Sequence, residues 1–216
     1  MTKIKICGLT TLADIEAVNR WLPDYIGLVF CPSRRQVTAG QAMRLKEALD
    51  RRIKVVGVFV NSPWQHIVNL YKGGVIDAVQ LHGDEDYAYM ARLRENIDCP
   101  VIKAVRVRCS QHILQAEKLP CDMLLLDSFC KGQYGGSGTT FDHQLIPHLS
   151  KPFILAGGLN TGNIAQAIER CGPFAVDVSS GAETDGKKDE DKIRRIIMTV
   201  RGSGQKTVAK IPFYMG

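Results

Sequence analysis

The chain has 216 residues, 45% hydrophobic and 23% charged, which is enough apolar material for one large soluble domain or two small ones. Seven cysteines at irregular spacing, with no C-x-x-C pair, argue against a disulfide framework or a structural zinc site and suit a reducing cytoplasm. The net charge of +6 is spread through mixed runs such as KKDEDKIRR (187–195), a solvated helix face rather than a nucleic-acid stripe.

The first strand-like run, IKIC (4–7), begins so near the start that no signal peptide is expected. No apolar run approaches the roughly 18 residues of a membrane span. A helical pattern, TLADIEAVNRWL, follows from a Thr cap, with Leu12, Ile15, Ala17, Val18 and Leu22 expected to share a face. The chain then runs through YIGLVF (25–30), a loop with Arg34 and Arg35, and the helix GQAMRLKEALDRR, whose face is Ala42, Leu45, Ala48 and Leu49. KVVGVFV (54–60) and SPWQHIVNLYKGG come next, then DAVQLH (77–82), which ends at His82. DYAYMARLREN, PVIKAVRV (100–107) and SQHILQAEKL lead to DMLLLD (122–127), which ends at Asp127. FDHQLIPHL has the shortest helical pattern. PFILAG (152–157) opens onto Gly157-Gly158, TGNIAQAIERC follows, and FAVDVS (174–179) carries Asp177 into Ser179, Ser180 and Gly181. DKIRRIIMTVR closes the series.

Eight strands rich in Val, Ile, Leu and Ala, starting every 20–30 residues with helices between, predict a parallel sheet covered on both faces. Eight such units in about 200 residues fit a single-domain (β/α)₈ TIM barrel over residues 1–201. An open doubly wound sheet is the alternative, but it commonly has fewer strands. Residues 202–216 form a C-terminal tail with two lysines and no acid, either flexible or docked through VAKIPFYM.

In such a barrel, chemistry gathers at the C-terminal ends of the strands. Cys7, Arg34, Arg35, His82, Arg106, Asp127, AGGL (156–159) and SSGAE (179–183) all fall there. Gly157-Gly158 beside SSG suggests a phosphate cradle, although glycine pairs also make plain tight turns. Asp127 follows MLLL, so burial is expected to lift its carboxyl above about 3.9 and let it donate a proton; alternatively it caps or pairs. Cys7 is a buried hydrophobe by default, and a base if electropositive surroundings reach it. Lys5 shares its inward phase. Arg34 and Arg35 suit a carboxylate or plain surface charge. His82 is more often a packed residue than a catalyst.

Taken together, KICGLT (5–10), GLVFCPSRRQV (27–37), VGVFVN (56–61), AVQLHGDE (78–85), LLLDS (124–128), YGGSGTTFD (134–142), AGGLN (156–160) and FAVDVSSGAET with GKKD (174–189) resemble the phosphoribosylanthranilate isomerase family. The match runs in order from residue 3 to about 200. It implies an Amadori rearrangement of N-(5-phosphoribosyl)anthranilate to 1-(2-carboxyphenylamino)-1-deoxyribulose 5-phosphate, in tryptophan biosynthesis. By resemblance Asp127 is the acid and Cys7 the base. Arg35, His82, Gly157, Gly158, Asp177, Ser179, Ser180 and Gly181 bind substrate, with Arg35 on the anthranilate. No metal or organic cofactor is implied, nor any nucleic-acid or membrane partner. A homodimer stays open. FCPSRRQV is one residue shorter than a common form of that loop, and His143 stands where many members have Trp. The histidine-pathway aminoaldose isomerases are the nearest rival, but they place an aspartate at the position of Cys7. A catalytically dead barrel serving as a scaffold is the rival from another class.

Overall fold

Eight parallel strands close on themselves in sequence order, β8 pairing back onto β1 through Lys5 opposite Asp177. They are β1 Lys3–Cys7, β2 Tyr25–Val29, β3 Lys54–Phe59, β4 Ala78–Leu81, β5 Val101–Val107, β6 Met123–Ser128, β7 Phe153–Leu155 and β8 Ala175–Val178. The computed structural model describes residues 1–128 and 140–203. Cys130, the YGGSG segment and nearly all of the tail expected at 202–216 lie outside the described residues.

Among the described residues seven α-helices return the chain: α1 Leu12–Trp21, α2 Ala39–Ala48, α3 Trp64–Lys72, α4 Tyr87–Arg94, α5 Ser110–Glu117, α6 Ile164–Cys171 and α7 Glu190–Ser203. Thr11 with Asp14, and Thr38 with Gln41, form reciprocal capping boxes that start α1 and α2, each satisfying N–H groups that have no acceptor inside the helix. The helix expected over FDHQLIPHL is a single 3₁₀ turn, His143–Leu145. Pro147 explains the shortfall, because a proline disfavours helical backbone at the residue before it and cannot donate to the turn behind. Leu12 is 55% exposed although Ile15, Ala17 and Val18 are buried. At about 100° per residue it lies some 60° round the helix from Ile15, on the side away from Val18. Ala48 is exposed for the same reason, on the flank of the Ala42–Leu45 stripe.

Strand alternation divides the interior into two apolar layers. Ile4, Ile6, Ile26, Leu28, Val55, Val79, Leu81, Leu124 and Leu126 face outward against the helices. Val56, Ala78, Ile102, Ala104, Leu125, Ile154 and Ala175 pack together inside the barrel, as expected when inward positions recur with period two. Above that plug polar inward positions join a small cluster of Cys7, Val29 and Val58. Beyond β8, β9 (Glu183–Thr184) and β10 (Lys187–Lys188) form an antiparallel hairpin. Its two-residue turn, Asp185-Gly186, has φ of 51° and 78°, the paired positive values of a type I′ hairpin turn. Among the described residues, no helix is long and apolar enough to cross a membrane.

Candidate active site

A cavity of about 790 Å³ opens at the C-terminal ends of the strands. β1 contributes Cys7, the β2 loop Arg34 and Arg35, β4 Gln80 with His82 just past its end, and β6 Asp127. The seventh and eighth strands and their loops add Gly157, Gly158, Asp177, Ser179 and Ser180. These polar positions follow from period-two alternation: Lys5 and Cys7, Gln80 and His82, and Leu125 and Asp127 are each two residues apart on an inward face. Nine of the ten residues expected at the site thus line one cavity.

The exception is Gly181. Its backbone lies against the β7 loop, where an added Cβ would fall 1.9 Å from the Leu159 carbonyl oxygen. It lets the two loops touch. A Cβ on Gly157 would fall 2.6 Å from the Ser128 amide nitrogen, so that bare backbone serves contact with β6. A 3₁₀ turn over Ser180–Ala182 begins beside these loops, and the first N–H groups of a helical turn have no acceptor within it.

Around Cys7 the site is charged. Lys5, fully buried, donates to Asp177 Oδ2 at 2.9 Å. Burial pulls the Lys5 ammonium down, but Asp177 and the Cys7 sulfur outweigh it and hold its pKa above the ordinary value. Burial pushes the Cys7 thiol up, with Lys5 opposing, Asp177 adding to the rise and Lys188 opposing again. The Cys7 side chain itself is only 8% exposed.

Glu183 stands beside this group and receives several cations. Arg35 donates to it from Nε (2.7 Å) and Nη2 (2.9 Å), Arg34 from Nη2 (2.7 Å) and Lys188 from Nζ (2.8 Å). Burial raises the Glu183 carboxyl, yet Arg35 and Lys188 outweigh this and hold it below the usual range. Lys188 is itself pulled down by burial, with Glu183 opposing, and also donates to the Ser179 carbonyl.

Around Asp127 the partners are an amide and an imidazole. The Ser128 N–H donates to Oδ1 at 2.8 Å, and His82 Nε2 lies 3.3 Å from Oδ2. Gln80 Nε2 is 3.0 Å from His82 Nδ1. An amide donating to Nδ1 would leave the ring proton on Nε2, which lies on the side of Asp127 but outside hydrogen-bond geometry with it. Gln80 Oε1, His82 Nε2 and Asp177 Oδ1 are buried with no hydrogen-bond partner among the described residues, so a polar ligand in the cavity would satisfy them. Arg106 lies outside the lining and pairs with Asp84. His66, His112, His143 and His148 do not line the cavity.

The sequence reading passed over Gln80, Glu183 and Lys188. Gln80 was marked by its phase with His82. The other two sit in SSGAE and GKKD, where only the hairpin brings them face to face. Among the described residues, no group of three His, Cys, Asp or Glu side chains is arranged to hold a metal ion.

Residues 4–199 match the family model described as N-(5'phosphoribosyl)anthranilate (PRA) isomerase. An N-(5'-phosphoribosyl)anthranilate isomerase from Endomicrobium trichonymphae is 45% identical over 201 residues, spanning 93% of this chain and 99% of the relative. The crystal structure of phosphoribosyl anthranilate isomerase from Thermotoga maritima superposes with a TM-score of 0.81 at 35% identity, over 94% of this chain and 100% of that one. A phosphoribosyl anthranilate isomerase in complex with reduced 1-(o-carboxyphenylamino)-1-deoxyribulose 5-phosphate gives 0.77 at 33% identity, over 94% and 100%.

Proposed function

The chain belongs to the N-(5'-phosphoribosyl)anthranilate isomerase family, and from that premise we propose that Cys7 and Asp127 are the base and acid of its aldose–ketose rearrangement. The enzyme acts in tryptophan biosynthesis, converting N-(5'-phosphoribosyl)anthranilate to 1-(2-carboxyphenylamino)-1-deoxyribulose 5-phosphate. Asp127 gives its proton to the furanose oxygen as the C1'–O bond breaks, and the anilino nitrogen lone pair forms an iminium. Cys7, as its thiolate, then takes the C2' proton to become the thiol, the C–H electron pair moves into the iminium, and the resulting enolamine tautomerises to the ketone. The iminium is the electron sink, so the proton transfers ask nothing of a metal or an organic cofactor. Its positive charge also eases formation of a thiolate that burial otherwise disfavours.

Gly157, Gly158, Ser179 and Ser180 cradle the phosphate through backbone N–H groups and hydroxyls, and Gly181 lets their two loops meet. Arg35 takes the anthranilate carboxylate. Asp177 and His82 meet the polar groups between. The shared cavity carries this assignment: Cys7 and Asp127 border one chamber, beneath the two loops rich in glycine and serine. Incubating the pure protein with freshly made phosphoribosylanthranilate, chelator included, and following loss of anthranilate fluorescence tests it. Turnover is expected. A flat trace would leave a scaffold, and turnover only of the histidine-pathway aminoaldose would leave the rival isomerase.

A further inference from the structure

The Glu183 cluster is more elaborate than loop anchoring requires. The Glu183 side chain is 5% exposed and that of Lys188 2%, while Arg35 is 15% exposed and borders the cavity. The Arg35 stem crosses directly over Gly8, the residue after Cys7. Gly8 has a φ of +82°, and an added Cβ would fall 2.4 Å from Arg35 Cδ. The arginine is therefore threaded past the backbone of Gly8 through a gap that only glycine leaves open.

A guanidinium has five N–H groups and two edges able to bind a carboxylate bidentately. Glu183 occupies the Nε–Nη2 edge, and the Nη1 side has no protein acceptor among the described residues. Three cations, Arg34, Arg35 and Lys188, surround this single carboxylate, so the cluster keeps surplus positive charge for a further anion. Lys188, on the hairpin that carries Glu183, also donates to the Ser179 carbonyl.

We propose that Glu183 is a positioning residue for substrate carboxylate recognition: it clamps one edge of Arg35 so that the other edge meets the aromatic carboxylate. The inference rests on the reading that Arg35 receives that carboxylate. A purely structural Glu183 would treat substrates with and without the carboxylate alike. A positioning Glu183 would not.

The test compares steady-state kinetics on N-(5'-phosphoribosyl)anthranilate and on N-(5'-phosphoribosyl)aniline, which lacks the carboxylate. For Glu183→Gln, kcat/KM on the anthranilate is expected to fall about 10- to 100-fold, mostly through KM, the scale of a weakened charge-assisted hydrogen bond. The loss on the aniline compound should be several times smaller. Glu183→Asp, which keeps the charge, should recover part of the preference. Equal losses on both compounds, or none on either, would overturn the proposal. If Glu183→Gln does not fold, Glu183→Asp carries the test alone: a selective loss supports the clamp and an equal loss refutes it. Arg35→Met separates the two levels. If that variant still prefers the carboxylated compound as strongly as the parent, the assignment of Arg35 falls; if it erases the preference while Glu183→Gln leaves it intact, only the clamp falls.

Discussion

The two flanks of the cavity are built from different materials. The side formed by β8, β1 and β2 surrounds Cys7 with full charges: Lys5 against Asp177, and Glu183 against Arg34, Arg35 and Lys188. The side formed by β4 and β6 gives Asp127 a backbone N–H donor and sets an imidazole beside it, itself next to a glutamine amide. A thiol must acquire negative charge to act as a base, and burial opposes this, so cations nearby are useful. A carboxyl that donates a proton needs orientation without a strong cation locking it into the ionised form. The difference suggests that each flank is fitted to the charge its reactive group must reach during turnover.

Removing Lys5 should break the charged flank most severely. Lys5→Met leaves Asp177 buried without its cation, and denaturant unfolding should show a loss of about 3–5 kcal/mol. A loss below about 1 kcal/mol would mean that the pair is dispensable. Next come the reactive groups: Cys7→Ala and Asp127→Asn should each lower turnover about a hundredfold or more, with melting temperatures near the parent value. Near-parental turnover in either variant would remove that residue from the mechanism. On the neutral flank, Gln80→Leu takes the partner from a buried imidazole nitrogen and should cost about 1 kcal/mol of stability. A cost matching that of Lys5→Met would erase the contrast between the flanks.

The smallest effect is an acid one. Because the folded Glu183 carboxyl lies below its unfolded value of 4.5, its ion pairs add stability above that pH and lose it as the pH falls through the folded value. The stability gap between the parent and Glu183→Gln should therefore narrow as unfolding is followed from pH 6 down to pH 3. A gap that stayed constant or widened on acidification would contradict the ion-pair account.

How much of this was legible in the sequence depended on how local the cause was. The strands read clearly because both faces are buried, so Val, Ile and Leu run almost unbroken. Cys7, His82 and Asp127 were found because strand ends in a barrel converge on one mouth. FDHQLIPHL misled because a hydrophobic pattern says nothing about the proline that limits it to one turn. Leu12 misled because the buried face of α1 is narrower than its apolar stripe. The Glu183–Arg35 contact spans 148 residues of chain. It depends on an Asp-Gly turn folding a short segment back across the mouth, and no spacing rule joins the two residues.

The apolar plug of Val56, Ala78, Ile102, Ala104, Leu125, Ile154 and Ala175 gives the chamber a solid floor. Among the described residues that floor closes the far end, and traffic uses the mouth at the strand ends. A departing ketose must clear the threshold before the next aldose can settle, so accumulating product obstructs entry and each turnover is an exchange through one opening rather than a flow from end to end.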